Sequence, residues 1–178
     1  MSKKISLAWY QNFKTRAFWL KFTKELVILI ALISALSFYL QFDMASGHAP
    51  KLTTETIYGK SIDLATLSSD KPTLVYFWGS WCGYCKITSP MVESVSKDHN
   101  VISVAIASGE NWEVQQYLTQ KQLSFDAIND IDDTISHSWG VTGVPAIFII
   151  DKNGNIASKT TGPTSNWGMR VRLWLANF

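Results

Sequence analysis

The stretch Thr73-Leu-Val-Tyr-Phe-Trp-Gly-Ser-Trp-Cys82-Gly-Tyr-Cys85-Lys86 constrains this chain more than any other. Its apolar run, rich in β-branched and aromatic residues, reads as a buried strand over Thr73–Phe77. The run stops at Gly79-Ser80, and the only two cysteines follow at once. Beyond Cys85 the pattern turns helical, with Ile87, Met91, Val92 and Val95 near one face. Cys82 then lies at or just before the first turn, where unpaired backbone N–H groups and the helix dipole favour a thiolate. Cys85 lies one turn further in, close enough to pair with it. Thiol–disulfide exchange requires a low-pKa outer thiol, open to attack, and a shielded partner behind it.

The same spacing supplies half a zinc site, which needs two further ligands. No third cysteine exists, and His48, His99 and His137 are scattered, so the metal reading loses on ligand count. No cofactor is implied. An inert structural disulfide stays open as the bland alternative, and it predicts a buried, slowly alkylated Cys82. The formal net charge of +2 implies no broad basic surface, which argues against nucleic acid as a partner.

At 178 residues the chain holds one domain and something more. Leu26 to Leu40 runs without a charge, preceded by Lys3, Lys4, Lys14, Arg16, Lys21 and Lys24 against the single acid Glu25. That layout predicts one spanning helix with its N-terminus in the cytoplasm. The run is short for a hydrocarbon core of about 30 Å. Lys21 and Lys24 can snorkel, with Trp19 at one interface and Tyr39 or Phe42 at the other. Trp9, Phe13, Phe18 and Phe22 suit an amphipathic, membrane-surface start. A cleaved signal peptide fits less well, because the best cut, after Ala45, puts Asp43 three positions back. The expected organisation is a cytoplasmic and membrane-surface segment over 1–24, an anchor over 25–42, a polar linker over 43–50 and a domain over 51–178. The address is then the bacterial inner membrane, single-pass, with the domain outside the cytoplasm, where disulfides persist.

Within the domain, Thr53–Tyr58 and Ser61–Leu64 read as a small hairpin around Gly59-Lys60, and Leu67–Pro72 as a turn. A helix runs from near Cys82 to about Lys97, with Pro90 inside it. Val101–Ala107 has the small, continuous apolar character of an interior parallel strand. Asn111 caps a helix to about Gln120, Phe125–Ile128 is a short strand, and Asp132 caps a short helix carrying Ile135 and Trp139. Strands at Ala146–Ile150 and Asn155–Thr160 flank an Asn153-Gly154 hairpin turn. A last helix over about Ser165–Ala176 has Trp167, Val171, Trp174 and Leu175 as its expected buried stripe. Helices alternating with strands, then a hairpin and a closing helix, predict an α/β fold: a mixed sheet flanked by helices.

Trp81-Cys82-Gly83-Tyr84-Cys85-Lys86, with Val144-Pro145 ahead of a strand and an Asn-Gly hairpin, resembles the thioredoxin fold. The N-terminal strands, the apolar leader and the extra material between Ala107 and Asp132 are similar to the membrane-anchored TlpA/ResA/DsbE-like thiol:disulfide oxidoreductases, with the branch linked to copper tolerance nearest. The resemblance covers about residues 51–178. It implies Cys82 as the attacking thiolate and Cys85 as the resolving thiol. It implies a cis Pro145 facing them, and a Val144 backbone offered to a substrate peptide. Trp81 is then a shield beside the pair, while Gly83 and Tyr84 tune it. Two departures stand out: thioredoxin's buried aspartate is replaced by Tyr76, and the ResA-like glutamate by Thr88. Glu93 reads as solvent-facing. The function implied is reduction of client proteins that carry disulfides or cysteine pairs, recharged by a membrane thiol donor. The alternatives are a disulfide-donating oxidase or isomerase of the same fold, and a non-enzymatic copper-binding or interaction module.

Overall fold

The computed structural model of this protein describes residues 16–178. The membrane-surface expectation for Lys3, Lys4, Trp9, Phe13 and Lys14 lies outside the described residues, as do the side chains of Arg16, Phe18 and Tyr39. The chain divides into two compact units, one ending at Leu40 and one spanning Gln41–Phe178.

The described part of the first unit is a helix, α1 (Arg16–Leu40). Here the expected anchor over 25–42 is corrected: among the described residues, no helix is long and apolar enough to cross a membrane. The uncharged part of this helix, Leu26–Leu40, is fifteen residues, or about 22 Å at 1.5 Å per residue, against a core of about 30 Å. The preceding turns carry Lys21, Lys24 and Glu25, with Lys21 and Glu25 paired at 4.0 Å. The single-pass topology, the inner-membrane address and the membrane as a partner through this helix fall with the anchor.

The second unit is built on a five-stranded sheet. The elements follow as β1 (Thr53–Glu55), β2 (Ser61–Asp63), α2 (Leu64–Asp70), β3 (Thr73–Trp78) and α3 (Cys85–Ser96). Then come β4 (Asn100–Ile106), α4 (Asn111–Gln120), β5 (Asp126–Asp130), α5 (Thr134–Ser138), β6 (Ala146–Ile150), β7 (Ile156–Thr161) and α6 (Asn166–Leu175). The sheet order is β5-β4-β3-β6-β7, and β1 pairs only with β2. Strands β3, β4 and β5 are parallel, while β6 and β7 join antiparallel. The segment read as the turn Leu67–Pro72 is instead mostly helical, as α2.

Strand alternation sends β3 side chains into two cores. Leu74, Tyr76 and Trp78 pack with Val92, Val95, Val114, Leu118, Met169 and Leu173 on the face covered by α3, α4 and α6. Val75 and Phe77 face the other core, with Leu64, Trp139 and Met44. Ahead of β1, the backbone of residues 45–49 bonds to the end of α5, to the start of β7 and to the loop before it. Ala45 N–H donates to the Trp139 carbonyl at 2.9 Å, Ile156 N–H to Gly47 at 2.8 Å, and Ala49 N–H to Gly154 at 2.9 Å.

Two local expectations change. Glu110, not Asn111, caps α4, in a capping box with Glu113. The stripe expected on α6 points outward: Trp167, Val171, Trp174 and Leu175 are exposed, and Met169 and Leu173 are buried instead. Polar side chains of this same helix reach α3 and the residues just past it. Asn166 Nδ2 donates to the Met91 carbonyl at 3.3 Å, and Arg170 reaches the Ser94 carbonyl and both Asp98 oxygens.

Candidate active site

β3 ends at Trp78, and the chain turns through Gly79–Tyr84 into α3. Cys82 N–H donates to the Gly79 carbonyl at 3.1 Å, closing this turn. Trp81 packs over Gly79: a Cβ there would stand 2.6 Å from the indole. A side chain at position 79 would therefore push the indole away. Cys82 and Cys85 form a disulfide with a Cα–Cα separation of 5.2 Å. The helix begins at Cys85, and Cys82 sits in the turn just before it. Its sulfur accepts the Cys85 backbone N–H at 3.1 Å, one of the donors a helix start leaves unpaired.

The pair is asymmetric but tightly covered. Cys85 is 0% exposed and Cys82 is 5% exposed, so the open Cys82 expected from exchange chemistry is not seen in this disulfide state. The Val144–Pro145 peptide is cis, and the Val144 carbonyl oxygen lies 3.6 Å from Cys82 Sγ. Pro145 is buried and Val144 half-buried. Trp81, Gly83 and Tyr84 are all exposed around the disulfide, the two aromatics at 60% and 64%. The structure thus brings Cys82, Cys85, Trp81, Gly83, Tyr84, Val144 and Pro145 to one end of the sheet.

Behind the disulfide lies a buried polar set. Tyr76 and Ser89 share a hydrogen bond of 3.0 Å, and burial pushes the Tyr76 phenol well above its ordinary range. Thr88, where the ResA-like glutamate is absent, is fully buried and donates its hydroxyl to the Tyr84 carbonyl at 3.1 Å. Trp78 Nε1 donates to Ser103 Oγ at 3.1 Å. Glu93 is not simply solvent-facing. It accepts the Ser124 hydroxyl and the N–H groups of Ser124 and Phe125, the latter two at 2.7 and 3.2 Å, tying α3 to the approach to β5.

Sequence reasoning missed the loop after β4. Ser108 Oγ accepts the Ser80 N–H at 3.0 Å and donates to the Ile106 carbonyl at 3.0 Å. The same carbonyl accepts Trp81 Nε1 at 3.2 Å. Ala107 adopts φ +43°, a conformation that costs a non-glycine residue about 1 kcal/mol or more. The only sequence signal was Ser108-Gly109 punctuating the end of an apolar run.

A strand that hands a Cys-x-x-Cys disulfide to a helix start, against a cis Val-Pro peptide in this strand order, defines a thioredoxin-fold protein-disulfide oxidoreductase. Residues 45–159 match the AhpC/TSA family, and the chain belongs to that family. A thioredoxin-like protein of Haemophilus influenzae is 40% identical over 72% of this chain and 77% of its own length. The thiol-disulfide oxidoreductase ResA of Bacillus subtilis is 28% identical over 76% of this chain and 82% of its own. Among solved structures, a thioredoxin family thiol:disulfide interchange protein from Chlorobium tepidum superposes with a TM-score of 0.64 at 23% identity, covering 75% of this chain and 98% of that one. These likenesses agree with the TlpA/ResA/DsbE-like group to which the motifs point.

Proposed function

We propose that this protein reduces disulfides in client proteins, with Cys82 as the attacking thiolate and Cys85 as the resolving thiol. The carrying observation is the Cys85 N–H aimed at Cys82 Sγ, a donor that stabilises negative charge on the outer sulfur alone. In the dithiol form, Cys82 thiolate attacks one sulfur of a client disulfide. The other client sulfur leaves as a thiolate and takes a proton. Cys85, losing its proton, then attacks Cys82 Sγ, which restores the Cys82–Cys85 disulfide and releases the second client thiol. Two electrons pass to the client, and a separate thiol donor returns the pair to the dithiol state.

Val144, within 3.6 Å of the reacting sulfur, is positioned to offer its backbone to a client segment lying across the disulfide. Trp81 and Tyr84 offer exposed apolar surface on either side of Cys82, with Gly83 between the cysteines. The direction rests mostly on the resemblance to the TlpA/ResA/DsbE-like group; the Gly83-Tyr84 pair lacks both the cationic histidine that would favour an oxidant and the proline common in reductants. Having only two cysteines fits work outside the cytoplasm, where a spare thiol would form wrong bridges. No residue of the site points to copper tolerance in particular.

Equilibrium titration of the full chain against a thiol buffer tests this reading. A potential of about −220 mV or lower with fast exchange supports a reductant, whereas one near about −120 mV makes the protein a disulfide donor. Cys82→Ser is expected to lower exchange at least about a hundredfold, and Cys85→Ser to accumulate a mixed disulfide visible by mass spectrometry.

A further inference from the structure

The sheet end that carries the disulfide holds more exposed apolar surface than the Cys-x-x-Cys loop supplies. Trp112, in the first turn of α4, and Ile131, just past β5, are each more than half exposed. Trp81 follows β3, Trp112 follows β4 and Ile131 follows β5, and these three strands are parallel neighbours in that order. With strands about 4.8 Å apart, the row crosses about 10 Å of the sheet end.

The row is held by a hydrogen-bonded scaffold. Trp81 Nε1 is fixed to the Ile106 carbonyl at 3.2 Å, and Ala107 N–H to the Asp130 carbonyl at 3.2 Å. Asn129 Nδ2 donates to the Gly109 carbonyl at 2.9 Å and to Asn111 Oδ1 at 3.0 Å, joining the β5 end to the start of α4. Asp130 then accepts the N–H groups of Ile135 and Ser136 at 2.9 and 2.7 Å, so Ile131 projects from a tied turn. Exposed apolar side chains on tied backbone offer contact area at low ordering cost.

Beside Trp112 and Ile131 the exposed charges are acidic, while Lys86 is exposed on α3 five residues beyond Trp81. Glu110, Asp132 and Asp133 are exposed beside Trp112 and Ile131. No lysine or arginine occurs between Lys97 and Lys121, or between Lys121 and Lys152.

We propose that this row is a docking lip for the client segment flanking the reactive cysteine, and that the segment it fits is apolar or aromatic and carries basic residues. The inference rests on the exchange reading above and adds the chemistry of the client. Apolar side chains of the segment cover Trp112 and Ile131, and its cations meet the acidic rim.

The test uses the reduced full chain and two peptides, each carrying one mixed disulfide. One has Trp, Leu and Arg beside its cysteine; the other has Ser and Glu there. A small aromatic disulfide serves as the control for exchange itself. The expected result is a kcat/KM about tenfold higher for the aromatic–basic peptide, carried in KM, with the gap narrowing as salt rises from about 0.05 to about 0.5 M. Trp112→Ser combined with Ile131→Ser is expected to bring the ratio of the two peptides close to one. Equal rates in the parent protein, or a preference that survives both substitutions, overturn the docking lip while activity on the small disulfide leaves the exchange reading intact. Failure to react with any of the three overturns both.

Discussion

Tyr76 occupies the position of thioredoxin's buried aspartate, and its environment decides what it can do there. It is fully buried, its hydroxyl meets Ser89 at 3.0 Å, and desolvation pushes its pKa far above the usual 10.0. A phenol that stays neutral through the physiological range cannot take the proton from Cys85 as a carboxylate would. Tyr76→Phe is therefore expected to leave the pH–rate profile of exchange unmoved while lowering stability by about 1 kcal/mol for the lost hydrogen bond. A displaced profile would place Tyr76 on the proton path. The two tryptophans at positions 78 and 81 show how much a short sequence distance matters. Trp78 lies on the buried strand, stacked on Tyr117 with its N–H on Ser103. Trp81, past Gly79, is out at the surface.

At the scale of elements, the disulfide loop and the loop after β4 form one hydrogen-bonded unit through Ser108. Ser108→Ala leaves the Ser80 N–H without its acceptor and is expected to cost about 1–2 kcal/mol. The same change frees the Trp81 loop, so the fluorescence difference between oxidised and reduced protein should change with it. An unaltered redox-linked fluorescence change would remove Ser108 from any role in holding Trp81. On the opposite side of α3, Asp98 meets Arg170 of α6 in a two-pronged contact. The hydrogen bond from Arg170 and its charge hold the Asp98 carboxyl below its ordinary 3.8. A depressed folded-state pKa stabilises the fold above the unfolded value, and that contribution is lost as pH falls through the folded value. Asp98→Asn should thus lower the urea midpoint at pH 7 and make no difference at about pH 2.

At the scale of the whole molecule, the segment before β1 belongs to the fold of the second unit. Met44 is buried in the core with Phe77, Trp139 and Phe148, and its sulfur accepts the Thr161 hydroxyl at 3.1 Å. Met44→Ala is expected to cost about 2–4 kcal/mol, read as a drop in denaturation midpoint without loss of the folded baseline. A cost under about 0.5 kcal/mol would mean that the segment merely lies on the domain. The apolar leader teaches the converse lesson. Its charge layout suggested a span, but the fifteen uncharged helical residues next to a Lys21–Glu25 pair fall short of the length a bilayer core demands.

What the sequence determined by itself is local and periodic. The apolar run before the two cysteines, the small residues of β4 and the Asn153-Gly154 turn each state their structure within a few residues. The spacing of Cys82 and Cys85 at a strand-to-helix junction carries the redox chemistry the same way. The tertiary structure decided whatever depends on contacts between distant residues. α6 has apolar residues on two arcs, and its packing against the core with Val92 and Val95, together with the hydrogen bonds of Asn166 and Arg170, puts Met169 and Leu173 inside. The Val144 carbonyl beside Cys82, the Ser108 link to Ser80 and the Glu93 tether to Ser124 join residues 28 to 62 positions apart. No window of sequence contains both partners of such a contact; the family resemblance pointed to the Val144 side of Cys82, while the Ser108 and Glu93 links were left to packing.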